Sequence, residues 1–269
     1  MLLASLFGVV MGLVLGLTGA GGGILAVPAL VLGLGWTMTQ AAPVALFAVG
    51  SAAAVGALDG LRHGLVRYRA ALLIALLGAI FSPLGIYFAH ALPEKTLMIL
   101  FSLLMVLVAW RMLRRERQIQ GPSDHGHASW GQKNCMLDQQ TGRFAWTAKC
   151  TTTLAALGAV TGVVSGLLGV GGGFLIVPAF KQLTDVQMRG IVATSLMVIS
   201  LISAIGVIGA FRAGAHIDSL GYAFIAASIV GMIIGRRLCA HVPARALQIG
   251  FASVCVVIAA VMLTNASLR

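Results

Sequence analysis

The chain has 269 residues, of which 59% are hydrophobic and 9% charged, and its formal net charge is +11. Soluble domains carry about 25% charged residues, and seven acidic side chains cannot solubilise a globule of this length. A soluble protein is therefore excluded, and the basic excess reads as Lys and Arg marking the cytoplasmic loops of an integral membrane protein rather than as a nucleic-acid interface.

The first apolar stretch, about 2–34, opens without a basic n-region and is expected to be a mature membrane segment rather than a cleaved signal peptide. It is broken by Gly19-Ala20-Gly21-Gly22-Gly23 and carries Pro28. Glycine lowers helix stability by ~1 kcal/mol against alanine and interior proline by ~3 kcal/mol, so one smooth helix is not expected here. Three runs follow at about 40–61, 70–92 and 96–112. Each can span a bilayer, which takes about 20 apolar residues. The polar stretch 113–149 reads as a connecting loop without a domain of its own. A second broken stretch, 152–180, contains Gly169-Val170-Gly171-Gly172-Gly173 and Pro178, and three more spans follow at about 191–211, 219–238 and 246–264.

The two halves match at an offset of 150 residues. Gly16-Leu17-Thr18-Gly19-Ala20-Gly21-Gly22-Gly23 returns as Gly166-Leu167-Leu168-Gly169-Val170-Gly171-Gly172-Gly173. Gly8 matches Gly158, Gly12 matches Gly162, Gly56 matches Gly206, Arg62 matches Arg212, Gly85 matches Gly235 and Pro93 matches Pro243. An ungapped match of this extent indicates two structural repeats, 1–112 and 150–269. If each glycine-broken stretch is a hairpin returning to its starting side, one side of the membrane carries 15 Lys/Arg and the other 3. If each stretch crosses once, the split is 12 to 6. The positive-inside rule favours the hairpins. The expected fold is all-α and polytopic: two inverted repeats, each a glycine-broken helical hairpin plus three transmembrane helices. Loop 113–149 is then cytoplasmic.

Matching interruptions in two halves of a transporter point to its binding site. Non-helical backbone at membrane depth must face protein or a water-filled cavity. A helix N-terminus leaves about four N–H groups unpaired and carries partial positive charge, and glycines let an anion approach them. Gly19, Gly21, Gly22 and Gly23 with Gly169, Gly171, Gly172 and Gly173 are the expected lining. Thr18, Ser165, Ser51, Thr194 and Ser195 are candidate hydroxyl donors. Gly22→Ala and Gly172→Ala are expected to weaken anion affinity in a folded protein. Gly8, Gly12, Gly16 and Gly158, Gly162, Gly166 have the spacing of small-residue helix interfaces and are assigned to packing.

No charged side chain stands in the middle of a span; Asp59, Asp218, Arg62 and Arg212 lie near span ends. This suits an anion held by neutral donors and argues against a carboxylate-centred proton pump. No paired nucleophile and base, P-loop or nucleophile elbow is present, so no enzyme is expected. His125 and His127 near Asp124 lack a second ligand pair, and no metal or cofactor is expected. Cys135, Cys150, Cys239 and Cys255 show no CxxC spacing, and no disulfide framework is expected.

Gly-Leu-x-Gly-x-Gly-Gly-Gly-x-Leu-x-Val-Pro in both halves resembles the sulfite exporter TauE/SafE family, also called the 4-toluene sulfonate uptake permease family. The resemblance covers nearly all of the chain except about 113–149, where the loop is longer than the compact family pattern. It implies a multi-pass inner-membrane transporter of sulfite, sulfonates or related organosulfur anions. By motif matching it carries Gly19, Gly21, Gly22, Gly23 and Pro28, with Gly169, Gly171, Gly172, Gly173 and Pro178, into the substrate site. The resulting expectation is a secondary transporter exporting a small sulfur oxyanion by alternating access around a midplane site. A passive anion channel is the alternative. Coupling to H+ or Na+ and a homodimeric state stay open.

Overall fold

The structure is a computed structural model and describes residues 1–19, 21–119, 135, 147–184, 188–212, 214, 217–238 and 244–268. Asp124, His125, His127 and Cys239 lie outside them. Among the described residues the chain forms ten α-helices and no sheet. They are α1 (Leu2–Thr18), α2 (Ala26–Leu34), α3 (Met38–Arg62), α4 (Tyr68–Ala91), α5 (Glu94–Ile119), α6 (Ala148–Leu168), α7 (Gly173–Leu183), α8 (Met188–Arg212), α9 (Ser219–Leu238) and α10 (Ala244–Leu268). The six uninterrupted apolar runs fall within helices apart from Leu92, which follows α4, and each broken stretch becomes a pair of helices. Among the described residues five helices, α3, α4, α6, α8 and α9, are long and apolar enough to cross a membrane, so α6 of the second broken stretch joins four of the expected spans.

α1 and α2 form a hairpin. Gly22 lies against the backbone of Leu15, and Gly33 lies against the ring of Phe7, so the chain folds back along itself. α6 and α7 do the same: Gly172 abuts the carbonyl of Thr161, and Thr184, just past α7, reaches the level of the α6 N-terminus. There the structure departs from the cysteine expectation. Cys135 and Cys150 are joined by a disulfide, with Cα atoms 4.9 Å apart. Cys135 also donates its N–H to the Leu183 carbonyl at 3.1 Å. The pairing unites a loop residue with the first turn of α6, a tertiary proximity that spacing in sequence does not encode.

The halves are interlocked. α1 packs most closely along α9, a helix of the other half, because Gly8, Gly12 and Gly16 sit on the carbonyls of Phe224, Ser228 and Met232. Their numbering rises together, so these helices are parallel. α4 and α6 repeat the arrangement: Gly158, Gly162 and Gly166 sit on the carbonyls of Ile74, Gly78 and Ser82. A Cβ at any of these glycines would meet backbone atoms of the facing helix, which confirms their assignment to packing. Close backbone approach replaces the hydrophobic effect as the cohesive force between helices surrounded by lipid.

α3 and α8 cross antiparallel at the centre, with Gly50 against Ser203 and Gly60 against Ala193. The most apolar window of each is 61% buried, against 33% in α4, so α4 faces outward while α3 and α8 form the axis. α5 and α10 pair on the flank. Large apolar side chains such as Leu76, Tyr87, Leu103 and Val257 stand exposed, as a lipid-facing surface requires.

Candidate functional site

The two glycine turns meet. An ideal Cβ on Gly23 would lie 3.1 Å from the Val170 carbonyl oxygen and 3.1 Å from Val49 Cγ1. The same Val49 methyl lies 3.3 Å from an ideal Cβ on Gly171, and Ile199, the repeat mate of Val49, lies 3.1 Å from it. Both side chains are buried. The meeting point therefore has an apolar plug on the α3–α8 axis, with one turn on each side of it.

Equal letters give unequal turns. In the first, Gly19 is the one glycine with positive φ (77°) among the described residues, and Gly22–Leu25 forms a 3-10 turn before α2. Thr18 organises it. Its hydroxyl donates to the Val14 carbonyl at 2.8 Å and accepts the N–H groups of Gly21 at 3.1 Å and Gly22 at 3.2 Å. The ring of Phe251 lies 3.0 Å from an ideal Cβ on Gly21. Two of the expected anion donors are thus already spent on Thr18. Pro28 lies in the first turn of α2 and has no N–H to donate.

In the second turn Gly169, Gly171 and Gly172 all have positive φ (69°, 72° and 67°). The repeat mate of Thr18 is Leu168, which has no oxygen to offer. Gly169 donates to the Ser165 carbonyl at 2.9 Å. The N–H groups of Gly171, Gly172 and Gly173 donate to no acceptor among the described residues. They stand at the N-terminus of α7, where the helix dipole adds partial positive charge. Pro178 lies inside α7 and leaves one further carbonyl of that helix without its amide partner.

Facing this turn is a residue that the sequence reading did not select. Ser203 of α8 is fully buried, and its Oγ has no hydrogen-bond partner among the described residues. The Oγ lies 3.0 Å from an ideal Cβ on Gly171. A buried, unpaired hydroxyl costs ~1–3 kcal/mol, so it needs a reason. The signal available in the sequence was an asymmetry between repeats: the mate of Ser203 is Ala53.

Of the other candidate hydroxyls, Ser51, Ser195 and Thr194 are occupied. Ser51 donates to the Ala48 carbonyl at 3.1 Å and Ser195 to the Val192 carbonyl at 2.8 Å. Thr194 donates to the Gly190 carbonyl at 2.7 Å and accepts the Arg67 N–H at 3.1 Å, which pins the α3–α4 loop. Ser165 is buried in the last turn of α6. A methyl on Gly22 would run into the Leu15 backbone, and one on Gly172 would lie 2.9 Å from the Thr161 oxygen in a left-handed residue. Neither alanine substitution is therefore neutral for folding.

A cavity of about 200 Å³ leads toward the second turn. It is lined by Met38, Thr39, Ala42, Pro43 and Leu46 of α3, Ile86 and His90 of α4, Gly166 and Leu168 of α6, and Gly206 of α8, among others. Ala42 touches Gly169. The mouth is framed by the start of α3 and the ends of α4 and α8, all on one face of the bundle. At the other face stands an ion pair. Arg236 of α9 places Nη2 at 2.7 Å and Nε at 2.8 Å from Asp59 Oδ2, and its Nη1 donates to the Gly56 carbonyl at 2.9 Å.

A family model described as "Sulfite exporter TauE/SafE" matches residues 4–262. A "Probable membrane transporter protein" of Xylella fastidiosa (strain 9a5c) is 30% identical over 86% of this chain and 82% of its own length. The "Probable membrane transporter protein YunE" of Bacillus subtilis (strain 168) is 26% identical over 86% of this chain and 85% of its own. No solved structure matches the chain.

Proposed function

The chain belongs to the sulfite exporter TauE/SafE family, a family of membrane transporters, and from that premise we propose that it exports a small sulfur-containing oxyanion, sulfite or a short sulfonate, as a secondary transporter. The observation that carries this reading is the second glycine turn: among the described residues, three N–H groups at the start of α7 find no acceptor, opposite the buried hydroxyl of Ser203, which finds no partner. A pyramidal oxyanion presents three acceptor oxygens on one face. Amide hydrogens and a hydroxyl replace the water that it gives up, and in a buried site such bonds to charge are strong. Gly169, Gly171, Gly172 and Gly173 supply the backbone geometry. Thr18 with Gly19, Gly21, Gly22 and Gly23 forms the opposing wall, stiffened by its own hydrogen bonds.

The hairpins and the parallel pairs α1–α9 and α4–α6 support two inverted repeats rocking about the α3–α8 axis. A cavity with its mouth at one face, and charge bridged across the other, supports alternating access over an open pore. The loops 61–69, 111–149, 181–190 and 236–245 carry most of the Lys and Arg, so that side is the cytoplasmic one in a bacterial inner membrane, and the cavity faces outward. Purified protein in proteoliposomes, loaded with labelled sulfite or short alkane sulfonates, tests the substrate class. Efflux that saturates and is stimulated by counter-substrate is the expected result. No movement of any of these anions rejects the class.

A further inference from the structure

The repeat relation turns the ion pair into a statement about gating. Arg236 is the repeat mate of Ile86, Asp59 of Gly209, and Gly56 of Gly206. On the cavity side, Gly166 packs on the Ile86 amide, Ile86 and Gly206 line the opening, and an ideal Cβ on Gly209 lies 3.7 Å from Ile86 Cδ1. On the other side, Gly16 packs on the Arg236 amide, and the guanidinium spans the equivalent space to Asp59 and the Gly56 carbonyl. One half of the molecule thus shows the route open between apolar walls. The other shows the matching route crossed by a charged strap one helical turn from the first glycine turn.

We propose that Asp59 and Arg236 are the gating residues of the route from the Lys/Arg-rich face, holding it shut while the opposite cavity is open. This rests on the alternating-access reading above. The chemistry suits a latch better than glue. The Asp59 side chain is 45% exposed, and ion pairs exposed to water contribute little to stability. Both ends rehydrate when such a pair parts, so opening is cheap and reversible. α3 and α9 are already joined independently, since the Ser228 hydroxyl reaches the Ala48 carbonyl at 3.3 Å and Gly56 packs against Met232. The strap is also asymmetric. Its counterpart, Ile86 beside Gly209, has no charge, so the two gates have unequal strengths and the resting protein favours one state.

The test needs no substrate, so its failure is separable from failure of the sulfite reading. Ala42 lines the open cavity, and its repeat mate Val192 lies against Gly19 on the latched side. Single reporters Ala42→Cys and Val192→Cys are placed in the full-length protein in nanodiscs. Labelling by a hydrophilic maleimide is measured above that of the native cysteines. In the parent, the position-42 thiol should react quickly and the position-192 thiol slowly. Asp59→Asn or Arg236→Gln should raise the rate at position 192 by about five-fold, the scale of an exposed pair, and lower the rate at position 42. The charge exchange Asp59→Arg with Arg236→Asp should return both rates to parent values. Unchanged labelling at position 192 in both single variants would overturn the proposal, because a merely structural tie predicts no exchange of access. If the single variants fail to insert, the charge-exchanged protein decides: parent-like rates support the latch, and a raised rate at 192 rejects it.

Discussion

Ser203→Ala should separate binding from stability. In the protein without ligand the Ser203 hydroxyl is buried and unpaired, a burden of ~1–3 kcal/mol. Removing one oxygen relieves that burden and leaves a void smaller than a water molecule, so the variant should unfold at the parent temperature or above. A hydrogen bond from a hydroxyl to a charged group contributes ~1.5–3 kcal/mol, and its loss should weaken sulfite binding about 10- to 150-fold. Both quantities can be read on detergent-solubilised protein, affinity by calorimetric titration and stability by thermal unfolding. A variant that binds sulfite as tightly as the parent would refute the assignment. So would a marked fall in unfolding temperature, which would make the hydroxyl part of the scaffold. Stabilisation coupled to loss of function is the mark of a site kept under strain for its ligand.

Two further outcomes follow from the geometry. Gly172→Ala should destabilise by about 1–2 kcal/mol, since an L-residue must adopt φ 67° there; thermal unfolding equal to that of the parent would mean that the second turn has another conformation. Disulfides are rare in the reducing cytosol, so if loop 113–149 faces the cytoplasm, Cys135 and Cys150 should be thiols in growing cells and label with a membrane-permeant maleimide before any reductant is added; labelling only after reduction would place the loop on the opposite side.

Much of the fold is legible in the letters, and the reasons are physical. Four of the six uninterrupted runs become helices long and apolar enough to cross a membrane, α3, α4, α8 and α9, and two glycine clusters cannot continue a helix. Gly8, Gly12 and Gly16 announce a close interface, but not that its partner is α9 rather than a helix of the same half. That choice is made by backbone contacts more than 200 residues apart in sequence. The candidate site was legible as a place and not as a chemistry. Gly-x-Gly-Gly-Gly specifies a break, while the residue three before its second glycine decides what the break offers. Thr18 takes up the Gly21 and Gly22 amides, and with Leu168 in its place those of Gly171 and Gly172 find no acceptor among the described residues. Hydroxyl content alone does not say which side chains are free to donate. Ser51, Thr194 and Ser195 bond backbone carbonyls of their own helices, the habit of Ser and Thr in apolar surroundings. The useful signal was a polar residue whose repeat mate is apolar, which would have selected Ser203 against Ala53 and Arg236 against Ile86.

The exchange of first helices between halves constrains how the chain is born. Of the ten described helices α1 leaves the ribosome before the other nine, and the helix that buries its glycine stripe is the ninth. At about 5–20 residues per second, α1 waits roughly 10–40 s for that partner. During the wait its bare groove is covered only by lipid or by an insertion factor. α6, by contrast, emerges with α4 already in place. Synthesis therefore completes one crossed pair early and the other almost at the end, and a chain stopped short of α9 would leave its opening segment unmated.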